Sequence, residues 1–152
     1  MAKQMYVRGY AYALRGAGVF RMVWPMHRPL FTLAAILGAL SVILGAFGAH
    51  GLTKHLAPLA DGALRLEWWK TAAHYHLTHA LAVGLAAGLF GQVRLGRMAA
   101  WSFTTGIVVF AGSLYAMSLT GVRWLGAVTP IGGVALIAGW ILLAVAAQRY
   151  AA

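Results

Sequence analysis

The residues able to do chemistry in this chain are mostly imidazoles. Six histidines occur, and five of them, His50, His55, His74, His76 and His79, fall within one stretch of 30 residues. His76 and His79 are three apart, so a helix places them side by side on one face, and it does the same for Tyr75 and His79 at spacing four. His74 points away from His76. Imidazole is the commonest side chain for zinc, copper and haem iron. His50, His76 and His79 form a candidate three-nitrogen metal set, and two of them on different helices would suit a haem held from both sides. The same rings also serve as plain helix-to-helix hydrogen-bonding groups, reaching a carbonyl, Tyr115 or a serine such as Ser113. That structural reading is preferred. Metal or haem ligation and proton or small-ligand handling stand as alternatives, and no cofactor is assigned.

Much other chemistry is excluded. Asp61 and Glu67 are the only two acids, so paired-carboxylate catalysis has no material to work with. Cysteine is absent, which removes disulfides, thiolate nucleophiles and iron–sulfur ligation. No HExxH, GxSxG or Walker lysine occurs, and no serine has an evident base and orienting acid. No catalytic residue is assigned.

The elements that must carry the histidines are membrane helices. The chain is 62% hydrophobic and only 9% charged, whereas a soluble domain is about one-quarter charged. Too little polar surface remains to coat a soluble globule. Four apolar segments of about 20 residues qualify as spans, at about 30–49, 69–89, 98–119 and 130–147. Pro29 marks the start of the first. Thr129-Pro130 reads as a cap followed by proline at the first helical position of the fourth. Trp68, Trp69, Trp101 and Trp124 suit a membrane interface. The expected fold is an all-α, polytopic integral membrane four-helix bundle. Small residues at spacing four (Ser41, Gly45 and Ala49; Gly112 and Ala116; Ala135 and Gly139) predict close helix packing or a dimer interface. His79 is expected about 15 Å past Trp69 along its helix, near the bilayer midplane.

The net charge of +10 does not indicate nucleic acid, because the basic residues are scattered between apolar runs. They set orientation instead. One side collects eight, at Lys3, Arg8, Arg15, Arg21, Arg28, Arg94, Arg97 and Arg149, against four at Lys54, Arg65, Lys70 and Arg123. Both termini are therefore expected in the cytoplasm. Without the first 25 residues the count is four to four. Residues 1–28 form a basic extension with three readings: an interfacial helix on anionic lipid, a targeting segment, or translation from a start codon placed too early, with Met22 or Met26 as the real start. The last is preferred.

Four motifs carry a family resemblance. They are GAFGAHGL at 45–52, WWKTAAHYHLTHALAV at 68–83, AGSLYAMSLTG at 111–121 and VTPIGGVALIAGW at 128–140. In that order and spacing the chain resembles the domain-of-unknown-function-423 family of small bacterial inner-membrane proteins and transmembrane-protein-256-like animal proteins. The matching positions include Gly48, His50, Gly51, His76, His79, Ser113, Tyr115, Pro130, Gly132 and Gly133. The resemblance implies four transmembrane helices in the plasma or inner membrane, and no established activity, substrate or cofactor. Residues 1–25 depart from it, since many members begin close to the first span.

Three functions are open at this point. The first is a non-enzymatic accessory or scaffold protein, partnered by the lipid bilayer and by another membrane protein or a second copy. The second is a histidine-based metal or haem protein. The third is a small-solute or proton-linked carrier, which lacks the usual intramembrane acid.

Overall fold

The computed structural model of the chain describes residues 26–151. The extension expected at 1–28 lies outside the described residues up to residue 25. Every regular element described is helical, and the elements line up as four rods. The first rod is α1 (Arg28–Phe47), a π-helical turn (Gly48–Leu52) and α2 (Thr53–Leu56). The second is α3 (Gly62–Leu89). The third is α4 (Arg94–Gly106), a second π turn (Ile107–Ala111) and α5 (Gly112–Thr120). A 3-10 turn (Arg123–Ala127) leads into the fourth, α6 (Thr129–Ala151).

The helix starts follow local chemistry. Pro29 stands in the first turn of α1, where its missing N–H leaves no bond unmade. The third rod stops at Gly121, whose φ of 74° suits glycine and whose N–H returns to the Met117 carbonyl at 2.8 Å. Two expected boundaries fall short. The first rod runs on to Leu56, and α3 begins at Gly62, seven residues before the expected Trp69. Charged residues there extend the helix rather than end it. Arg65 Nε lies 3.0 Å from Asp61, and Lys70 Nζ lies 2.7 Å from Glu67, both at helical spacing.

Three of the rods, Arg28–Leu56, Arg94–Thr120 and Arg123–Arg149, are long and apolar enough to cross a membrane. The second, α3, is long enough, but His74, His76 and His79 in its middle lower its apolar character. Packing accounts for this tolerance, because α3 is the central rod. It contacts α1 on one side and α4, α5 and the second π turn on the other, while α6 packs chiefly on α4.

The core between the rods is built from small residues. Ala86 and Ala87 of α3 and Ala99 and Ala100 of α4 are fully buried, beside Phe103, Val83 and Leu37. Bulky apolar side chains point outward instead, as Val42 and Ile43 on α1 and Ile131, Val134, Ile137 and Ile141 on α6. Alanine inside and branched aliphatics outside is the distribution of helices that meet closely in lipid.

The spacing-four rows meet the bundle only in part. Ser41 is buried, but a Cβ at Gly45 or Gly112 would have no neighbour within 4 Å, and Ala49 is exposed. A four-residue step turns a helix by roughly 400°, so such a row drifts off a contact face within two steps. The close approaches come from Gly139 of these rows and from two glycines outside them. A Cβ on Gly132 would run into the Phe110 backbone, one on Gly106 into Leu136, and one on Gly139 into the Phe103 ring.

Candidate functional site

The two buried histidines of the interior lie along one stripe of α3. Trp69, Ala72, His76, His79 and Val83 are all buried. Their spacings of three and four put them on a single face, turned toward the neighbouring rods.

Trp69 opens the stripe. It is 3% exposed, so it is a core residue and not the interfacial tryptophan expected from its place beside Trp68. Its indole N–H donates to the Leu44 carbonyl of α1 at 2.8 Å. Phe47 and Tyr115 hold the ring on either side, at centroid distances of 5.4 and 4.5 Å. Gly48 makes the docking possible, because a Cβ there would fall within the indole. The motif glycine thus serves the tryptophan of α3. Gly51 is exposed and faces the Phe47 ring.

His76 and His79, one turn apart, have opposite surroundings. His79 Nδ1 donates to its own helix at the Tyr75 carbonyl, 2.8 Å away. Its Nε2 is then the accepting nitrogen, and it receives the indole N–H of Trp140 from α6 at 3.3 Å. Both nitrogens are used, Nδ1 as donor and Nε2 as acceptor. Tyr75 stacks on His79 at 5.7 Å with 13° between planes, and it also meets Phe110 at 4.5 Å. Tyr75 itself is on the outer surface, 39% exposed.

His76 is 5% exposed. Its Nδ1 lies 3.5 Å from the Tyr115 hydroxyl, at the limit of a hydrogen bond. Its Nε2 is buried and has no partner among the described residues. Tyr115 therefore bridges Trp69 and His76 through its ring and its hydroxyl.

Other expected residues take structural places. Ser113 does not reach a histidine; its hydroxyl meets Thr129 Oγ1 at 2.8 Å and donates to the Phe110 carbonyl at 2.9 Å. Thr129 consequently ties the start of α6 to α5, rather than acting as a cap preceding the helix. Pro130 is exposed beside it. Gly132 and Gly133 flank Phe110, one against its backbone and one 3.7 Å from its ring. His50 is exposed on the π turn. Among the described residues no three His, Asp or Glu side chains are placed to hold a metal ion, so His50, His76 and His79 are not gathered as a three-nitrogen set. The chain path explains this: His50 points outward from the first rod, while the α3 stripe points inward.

Two cross-rod bonds were not anticipated. Ser102 donates to the Ala135 carbonyl at 2.8 Å, and Ser118 to the Arg65 carbonyl at 2.8 Å. Trp69 and Trp140 were likewise missed as partners. The signal for Trp69 was its place seven residues before His76, two turns along the same face.

Comparisons with known proteins find relatives named as membrane proteins. Residues 44–133 match the family described as protein of unknown function (DUF423). The chain is 45% identical over 121 residues to the UPF0382 membrane protein YwdK of Bacillus subtilis, across 78% of this chain and 94% of that protein. It is 41% identical over 126 residues to the UPF0382 inner membrane protein YgdD of Escherichia coli K12, across 80% of this chain and 91% of that protein. No solved structure matches it. With membrane proteins of this class aligned over nearly their whole length, the chain belongs to the DUF423 family.

Proposed function

We propose that this is a four-span protein of the plasma or inner membrane, with both termini cytoplasmic, that acts without catalysis as an accessory or scaffold component of a membrane assembly. The observation that carries the reading is the use made of buried polar groups. His79, Trp69, Ser102, Ser113 and Ser118 each direct a polar side-chain atom to another rod. Groups held this way fix helix positions and are not free to turn over a substrate. Outside the rods the described connections are short, so the molecule's working surface is its lipid-facing one. The α3 helix joins the spans because its 28 residues reach roughly 42 Å at 1.5 Å per residue, beyond a hydrocarbon core of about 30 Å. The test is cross-linking in native membranes followed by purification in mild detergent. Recovery of one stoichiometric membrane partner or of a defined homo-oligomer is expected; a chain that stays alone at every cross-linker dose would overturn the accessory role.

A second reading, histidine-based ligand binding, is favoured by one observation, the unpartnered Nε2 of His76. This site offers a single nitrogen, so it suits one bond from a ligand and not a closed metal cage. Elemental and haem analysis of protein from native membranes, compared with a His76→Ala form, tests it. A bound species lost only in His76→Ala would establish it.

A further inference from the structure

At the end of the bundle opposite the acids, the start of α1 and the first turns of α4 enclose a groove of about 360 Å³. We propose that this groove is a binding site for an anionic phospholipid. The proposal rests on the membrane placement of the chain and not on its accessory role.

The groove is layered. Its mouth carries His27, Arg94 and Arg97, and below them lie Leu33, Met98 and Trp101. Leu33 is six residues beyond His27, about 9 Å deeper along α1, and Trp101 is four beyond Arg97, about 6 Å deeper along α4. Donors above and apolar side chains below match the order of a phosphate headgroup over an acyl chain.

The donors are arranged in advance. Arg97 Nη1 is tied to the carbonyls of Gly91 and Gln92 at 3.3 and 3.2 Å, which fixes its guanidinium at the rim. His27 is anchored by its backbone N–H to the Ala87 carbonyl at 2.9 Å. Its Nδ1 accepts the Leu30 N–H at 3.4 Å, which leaves the proton on Nε2. No acid answers these groups. Asp61 pairs with Arg65 and Arg123, and Glu67 with Lys70, all at the other end. A cationic mouth that meets no counter-charge among the described residues, set between helices at the headgroup level, attracts anionic lipid. Trp101 is 57% exposed, in keeping with a ring that lies along a lipid chain at the interface.

The experiment is native mass spectrometry of the full chain in mild detergent, titrated with phosphatidylglycerol or phosphatidylcholine, with glycerol phosphate and inorganic phosphate as soluble competitors. Phosphatidylglycerol is expected to be retained over phosphatidylcholine. Each arginine is expected to contribute about fivefold near the membrane surface, so R94Q should lose about that much and R94Q/R97Q more. Arg94 is exposed and makes no side-chain hydrogen bond or ion pair among the described residues, so R94Q isolates the charge from folding; an unchanged melting curve confirms this for each variant. Equal retention of the two lipids, or wild-type retention in R94Q/R97Q, overturns the proposal. Displacement of the lipid by inorganic phosphate overturns it too, because the site would then take free phosphate.

Discussion

Trp140 of α6 donates its indole N–H to Nε2 of His79 on α3, 3.3 Å away, while Nδ1 of the same ring donates to the Tyr75 carbonyl at 2.8 Å. The two bonds determine one another. With Nδ1 donating to Tyr75, Nε2 is free to accept from Trp140. A metal at Nε2 would have to displace the indole. Phe103 closes the group, 5.8 Å from His79 and 5.1 Å from Trp140 between ring centroids. The central and fourth rods, which otherwise meet chiefly through the third, are thereby joined directly.

Removing the donor should loosen that joint. W140F keeps most of the ring volume but leaves Nε2 as a buried acceptor, at a cost of about 1 kcal/mol. The expected result is a lower apparent melting temperature in detergent or bicelles, with the helical signal unchanged at low temperature. A W140F form as stable as the parent would show that this bond adds nothing to the fold.

Two glycines three residues apart, Gly45 and Gly48, should respond differently to the same methyl group. A Cβ at Gly48 would enter the Trp69 indole, which Phe47 and Tyr115 keep from moving aside. G48A should therefore destabilise the chain by about 1–3 kcal/mol through overpacking and break the Trp69–Leu44 bond. A Cβ at Gly45 meets nothing within 4 Å. G45A should be neutral or slightly stabilising, since alanine is the better helix former. Thermal unfolding of the pair decides this, and equal losses in both would refute the assignment of Gly48 to the indole.

Much of the fold was legible because membranes impose few solutions. Four apolar runs were readable as rods, and Pro29 and Thr129-Pro130 located the starts of α1 and α6 within about two residues. The outer ends were not, because Lys54, Arg65, Glu67 and Lys70 were read as loop residues. In the structure they ride on helices that project past the apolar segment, where intrahelical ion pairs support Arg65, Glu67 and Lys70. At the site, the shared helix face of His76 and His79 followed from their spacing alone. Their unlike surroundings did not, since these depend on Trp140 and Tyr115, distant in sequence and placed by how the rods cross. Trp69 misled for a related reason: a tryptophan near a span end suits the interface by type, and only the stripe it shares with Ala72 and His76 shows it to be buried.

Topology can be tested on a clean background, because the chain has no cysteine. Lys54 is exposed on α2, and Gln92 is exposed in the connection between α3 and α4, at opposite ends of the bundle. With cytoplasmic termini, K54C should react with an impermeant thiol reagent on intact cells, and Q92C should react only after lysis. The reverse pattern would invert the orientation. A form starting at Met26 removes the charge excess, so it should give mixed labelling at both sites.

The sharpest contrast is between the two buried histidines. Replacing His79 by leucine deletes two bonds and leaves the Trp140 N–H unpaired in the interior, so H79L should destabilise the bundle by about 1–3 kcal/mol. His76 is the opposite case. Its Nδ1 contact is long, at 3.5 Å, and its Nε2 is buried without a partner among the described residues. An apolar side chain of similar size removes an unsatisfied polar atom, so H76L should be neutral or more stable than the parent. Unfolding of both variants under one set of conditions gives the comparison, with changes of opposite sign expected. A loss in H76L as large as in H79L would mean that His76 is a structural residue like its neighbour. A stable H76L that no longer recovers the partner or bound species of the parent protein would identify His76 as a group retained for function at the expense of stability.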